Sequence, residues 1–109
     1  MKEVNVTISI NDEIIKEKGI LENNIIRVNS NDEKIDFDLK NIVLTKQNKE
    51  LKIVMDFKNN KAIYELVKEN YKFSNNFDIL SLTNEDKEYI INYQIEEQKF
   101  LLKINYETI

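Results

Sequence analysis

Chemistry in this chain must come from carboxylates, amines, phenols and hydroxyls. The 109 residues contain no His, no Cys, no Trp, no Pro and a single Gly. Without His there is no Ser-His-Asp or Cys-His catalytic unit. Without Cys or His there is no structural zinc, haem, iron–sulfur or blue-copper site. The lone Gly19 excludes a phosphate-cradling Walker loop and a dinucleotide fingerprint, both of which need several glycines. Asp36, Asp38 and Asp56, with Asp32 and Glu33 nearby, lack the spacing around a sharp Gly turn that a calcium loop requires. Asp36 and Asp38 alternate with Ile35, Phe37 and Leu39, so they read as a solvated outer face. The expectation is a protein that is not an enzyme and that needs neither metal nor cofactor.

The remaining candidates are polar groups on otherwise apolar faces. A turn at Asn11-Asp12 makes Ile8 face Ile15, Val6 face Glu17 and Val4 face Gly19. Glu17 then points inward, with the missing side chain of Gly19 leaving a gap beside it. That pair is either a polar anchor in a ligand cavity or a carboxylate at a wetted rim. Tyr64, Tyr71, Phe73, Phe77, Tyr89, Tyr93 and Phe100 form an inward aromatic stripe. Such a stripe fills a core, lines a cavity or stacks bases. Glu17, Gly19, Tyr64, Tyr89 and Tyr93 are the candidate ligand-binding residues. Arg27 falls on the outer face opposite Ile20. Ile20, Val54, Ile63, Val67, Ile90 and Leu101 also fall outside, where a cluster of them would serve a partner or a homodimer.

These residues are positioned by a chain of the size of one domain, residues 1–109, with 41% hydrophobic and 33% charged residues. Sixteen basic residues against 20 acidic leave a net charge of −4, and Arg27 is the only Arg. That balance argues against nucleic acid as a partner. The abundance of Ile, Asn and Lys reads as the coding bias of an AT-rich genome. No run approaches the ~18 apolar residues of a membrane helix. Met1 to Asn5 leads directly into alternation, without the apolar stretch of a secretory signal, so a cytoplasmic location is expected.

Alternation with period two dominates: Val4 to Ile10, Ile35 to Leu39, Leu51 to Phe57, Tyr89 to Ile95 and Phe100 to Tyr106. Asn-rich breaks separate these runs, and Asn tolerates the positive φ of tight hairpins. Two-residue turns bring apolar faces together. Asn23-Asn24 pairs Leu21 with Ile26, and Asn31-Asp32 pairs Val28 with Ile35. Gln47-Asn48 pairs Leu44 with Leu51, and Asn59-Asn60 pairs Met55 with Tyr64. Lys68-Glu69 pairs Leu66 with Tyr71, and Glu96-Glu97 pairs Tyr93 with Phe100. A three-residue loop at Asn84–Asp86 pairs Ile79 with Ile91. The inward phase changes between Leu39 and Ile42, which calls for a corner or bulge at Lys40-Asn41. Residues 63–71 also fit a helix, and so do residues 12–18. The fold expected is all-β, an up-and-down antiparallel meander of eight to ten strands closing into a small barrel, with a strongly bent sandwich as the alternative.

Met55-Asp56-Phe57, Lys61, Tyr64-Glu65 and Tyr71-Lys72-Phe73 resemble the middle of the YwiB-like bacterial β-barrels. The run from Tyr89 to Ile95, followed by Phe100 to Ile104, is similar to that family's closing hairpin. The resemblance covers the C-terminal half, and the N-terminal half only in its order of elements. The family's Pro and Gly after the Tyr strand are missing here, where Val67-Lys68-Glu69-Asn70 stands. The resemblance implies a calycin-like, lipocalin-shaped barrel and brings no activity and no catalytic residues. The functional expectation is a barrel that holds a small apolar or amphipathic molecule; the alternative is a filled-core interaction module.

Overall fold

The computed structural model describes residues 1–109. Eleven strands follow one another without a helix: β1 (Lys2–Ile10), β2 (Glu13–Glu22), β3 (Ile25–Ser30), β4 (Glu33–Asp38), β5 (Val43–Gln47), β6 (Leu51–Asp56), β7 (Lys61–Leu66), β8 (Tyr71–Asn76), β9 (Asp78–Glu85), β10 (Glu88–Ile95) and β11 (Gln98–Thr108). They form one antiparallel sheet in the order β8-β7-β6-β5-β4-β3-β2-β1-β11-β10-β9. Residues 63–71 and 12–18 are strand and turn, so both helical alternatives fail. Cross-strand pairing of apolar faces outweighs the helical spacing there.

The connections are short because Asn supplies the left-handed conformations that Gly usually supplies. Both residues of Asn23-Asn24 and of Asn31-Asp32 have φ between 46° and 66°, as a tight two-residue hairpin requires. Two longer connections share one pattern, Asp-x-Lys-Asn, as Asp38-Leu39-Lys40-Asn41 and Asp56-Phe57-Lys58-Asn59. In each, the Asp carboxylate accepts the backbone N–H groups two and three residues on, and the side-chain amide of the Asn. Each loop then ends on a residue at positive φ, Ile42 at 54° and Asn60 at 55°. The corner expected at Lys40-Asn41 is this loop. The bonds from Asn41 and Lys40 hold the Asp38 carboxyl below its usual range, against a smaller opposing effect of burial. The Lys58 ammonium donates to the Lys40 carbonyl at 2.8 Å and ties the two loops together.

Register follows the expected pairing at β1–β2, β2–β3, β3–β4, β7–β8 and β10–β11. It departs at three hairpins. Leu44 opposes Met55, and the two-residue turn is Lys49-Glu50, because the Asn48 carboxamide accepts the N–H groups of Glu50 and Leu51. Met55 opposes Ala62, since the Asp56 loop spans four residues. Ile91 opposes Leu82, and a bulge in β9 then brings Ile79 opposite Tyr93. None of the three changes which side chains of β6 or β10 face inward.

The sheet curls until its two ends meet. Phe37 of β4 packs edge-on against Tyr89 of β10 with ring centroids 5.1 Å apart, although four strands lie between these two in the sheet. Closure is made by β8 and β9, which are one bent strand that changes partner. The Phe77 N–H continues the β7 ladder by donating to the Asn60 carbonyl at 3.0 Å. One residue later Asp78 pairs with Gln94 of β10. Eleven strands thus trace ten staves, in line with the expected eight to ten.

The inward set is one connected apolar cluster that includes Val4, Val6, Ile8, Ile26, Val28, Ile35, Phe37, Ile91, Leu102 and Ile104. Each such side chain contributes about 1.5–3 kcal/mol on burial. One end of the barrel is plugged: Phe57, Phe77 and Tyr93 meet at centroid distances of 5.5–5.6 Å. The outer face carries Arg27 opposite both Ile20 and Asp36, as expected for the only guanidinium. No helix is long and apolar enough to cross a membrane.

Candidate functional site

The inward row of the barrel changes character along its length. Lys46, Ile53, Tyr64 and Phe73 stand directly opposite one another across β5, β6, β7 and β8. They occupy the half of the barrel away from the Phe57 plug. There the inward side chains stop filling the interior, and a cavity of about 160 Å³ remains. Its walls are Ile10, Leu44, Ile53, Met55, Tyr64, Tyr93, Ile95 and Phe100, with Lys46 the only charged member.

Two stacked aromatic pairs frame the space. Tyr64 and Phe73 lie with centroids 5.0 Å apart, and Tyr93 and Phe100 with centroids 5.1 Å apart, each pair within 13° of parallel. Tyr64, Ile95 and Phe100 also border an open depression with Asn75, Glu96, Glu97 and Gln98. The mouth therefore lies between β8 and the β10–β11 turn. Phe73 and Tyr71 remain exposed beside it, 41% and 57% accessible, although they are on the inward face. β8 is paired on one side only, so beyond the Tyr64 ring stacked on Phe73 nothing covers them.

The cavity's polar groups can all donate. Lys46 is half-buried, and its nearest carboxylate oxygen, on Glu33, is 3.6 Å away. That is longer than a charge-assisted hydrogen bond. Tyr64 and Tyr93 bring phenols. Burial pushes the Tyr93 hydroxyl up to about 12, with a smaller contribution from the neighbouring Tyr64 phenol. Tyr93 thus stays protonated, and a donor, across the neutral range.

The structure brings two of the five expected binding residues, Tyr64 and Tyr93, to the cavity wall. Tyr89 is elsewhere: its hydroxyl donates to the Leu39 carbonyl at 3.1 Å, close to the plugged end, and its ring is held by Phe37. Glu17 faces Val6 as expected but is exposed at the rim, where it accepts the Ser30 hydroxyl at 3.3 Å. Gly19 leaves no gap. A Cβ there would lie 2.7 Å from the Arg27 carbonyl and 3.0 Å from Val28 Cγ2, so the glycine permits close packing of β2 on β3. Neither Glu17 nor Gly19 lines the cavity.

Lys46 is the residue that sequence reasoning missed. Its signal was present: in a strand with Leu44 inward, alternation turns Lys46 inward too. The outward apolar residues do not form one patch. Val54 opposes Ile63, Leu101 opposes Asn92, Ile90 opposes Lys103 and Ile20 opposes Arg27.

No known protein family, curated protein or solved structure matches this chain.

Proposed function

We propose that this barrel binds one small apolar or amphipathic molecule in the cavity between β5–β7 and β10–β11. The observation that carries the reading is the void itself: about 160 Å³ with eight apolar or aromatic walls, in a barrel whose other end is plugged. Protein interiors are otherwise packed to crystal density, and voids larger than a water molecule are few. An apolar void of about 150 Å³ is known to take up benzene. The occupant is therefore the size of one six-membered ring. The resemblance to the YwiB-like barrels suggests a calycin shape and adds no activity to this reading. The chemistry at the site is recognition rather than catalysis, since no nucleophile is paired with a base.

The test is titration with benzyl alcohol, followed through the methyl resonances of Met55 and Ile53. Saturable shifts confined to the cavity walls are expected. Ile53→Phe fills the space from its half-open side and should abolish the shifts while the protein stays folded. Unchanged binding in Ile53→Phe, or no saturable shift in the parent, overturns the proposal.

The alternative is an interaction module with a filled core. The interior is filled apart from the cavity, and the outward apolar residues are dispersed. Val54 and Ile63 are the one adjacent pair that supports it.

A further inference from the structure

We infer that the cavity's ligand is an anion: a ring-sized apolar body carrying a carboxylate or a similar acidic group, with the acidic group placed at Lys46. The inference rests on the binding function proposed above and specifies the ligand class.

The first argument is the donor set. Nine residues line the cavity, and the ones with polar side chains are Lys46, Tyr64 and Tyr93. An ammonium offers three donors and no acceptor, and a phenol offers one donor beside its acceptor oxygen. No carboxylate lines the space. A neutral hydrocarbon leaves these donors unused, and a cation meets a like charge. An acidic group with two acceptor oxygens matches them.

The second argument is the position of the charge. Ile53 and Ile35 flank Lys46 in register, so its stem runs between apolar neighbours. The side chain is about one-quarter accessible. Lysine commonly buries its stem and keeps its ammonium wet. Here that habit places the ammonium at the boundary between the apolar space and the rim. A ligand with its ring inside and its acid outside matches that boundary.

The third argument is that Lys46 is incompletely satisfied. The Glu33 oxygen at 3.6 Å attracts the ammonium without a hydrogen bond of normal length. Glu33 is itself opposed by Ser30, and the Ser30 hydroxyl is engaged with Glu17. Glu33 and Glu17 thus stand beyond Lys46, and Glu96 and Glu97 border the mouth, so all four carboxylates oppose entry of an anion. Glu33 is the direct competitor for the ammonium. Removing its charge should strengthen binding of an anion and leave a neutral ligand unaffected.

The experiment compares phenylacetate with benzyl alcohol, each binding at neutral pH and low salt, by calorimetry and by the same methyl shifts. Phenylacetate should bind about fivefold more tightly, the size expected of a partly exposed ion pair, and added salt should erode the difference. Lys46→Met should remove the preference, so that phenylacetate binds the variant no more tightly than benzyl alcohol does. Lys46→Arg should retain it, which separates loss of charge from loss of fold. Glu33→Gln should tighten phenylacetate alone. Equal affinities in the parent, or a preference that survives in Lys46→Met, overturn the assignment of an anion while leaving the cavity reading intact. If neither compound binds, the function proposed above falls, and this inference falls with it.

Discussion

Ten residues other than glycine have positive φ, and six of them are Asn. Asn pays little for that conformation because its side chain bonds to the local backbone. Lys87 at 61° has no such compensation and is exposed in the β9–β10 turn. Lys87→Gly should therefore stabilise the protein by about 0.5–1 kcal/mol, measured by urea unfolding. Gly19 shows the opposite sign. Its φ is not positive, and its constraint is the Arg27 carbonyl 2.7 Å from where a Cβ would sit. Gly19→Ala should cost about 1–3 kcal/mol in the same assay, because backbone must move to admit the methyl group. A neutral Gly19→Ala would mean that β2 and β3 separate easily.

Tyr93 makes a second prediction at the residue scale. Its neutral form is favoured in the folded state, which raises its pKa from 10 to about 12. A raised value adds stability that is complete below pH 10 and is lost as pH climbs from 10 through 12. Tyr93→Phe should remove that part of the alkaline loss. Thermal melts at pH 9 and pH 11 measure it: the drop between them should be smaller in the variant. An equal drop would place the Tyr93 hydroxyl in water.

At the scale of elements, the barrel is unevenly protected. Most strands have a neighbour on both sides, but β8 pairs only with β7 and β9 only with β10. The Phe77 to Asn60 bond makes the odd residues of β8 face β7. By the alternation of an antiparallel ladder, Lys72, Ser74 and Asn76 then turn their backbone groups to the open side. Such an edge is a template for another strand, and a lysine on it discourages pairing. Lys72 is the only charged residue of β8, and its ammonium sits 3.9 Å from the Glu65 carboxylate. Lys72→Val should promote self-association, seen as a higher weight-average mass in sedimentation at raised protein concentration. A strictly monomeric Lys72→Val would show that the bend at Phe77 protects the edge without help from charge.

At the scale of the molecule, stability and the cavity depend on the same junction. Phe77 continues the β7 ladder, leads into the β10 ladder and packs against Phe57 and Tyr93. Phe77→Ala should cost about 3–5 kcal/mol in urea unfolding, as for a buried aromatic side chain. It should also weaken benzyl alcohol binding, because Tyr93 belongs both to the plug and to the cavity wall. A loss below about 1 kcal/mol would mean that the barrel does not depend on closure at this point.

Much of this molecule follows from local chemistry that a sequence displays. Period-two alternation sets which side chains face inward, and Asn marks the turns. Where a turn holds two residues at positive φ, as at Asn23-Asn24 and Asn31-Asp32, the register follows as well. Where a side chain reorganises the loop, register moves: Asn48 shifts one hairpin by two residues in its turn, and Asp56 lengthens another. The Asp56 bonds have a signature in the Asp-x-Lys-Asn pattern that this loop shares with the one at Asp38. That the sheet curls into a barrel was expected from its need to hide edges, but the way it closes was not legible. That β8 and β9 join the two ends of the sheet depends on how far ten staves twist and stagger together, a sum over the whole chain. The same sum decides the site. Sequence placed Glu17, Gly19, Tyr64, Tyr89 and Tyr93 on one face, but a face is continuous around the barrel while a cavity is local. Only the curled sheet puts Tyr64 beside Tyr93, brings Lys46 to the edge of the same space, and leaves Glu17 in water and Gly19 under its neighbour.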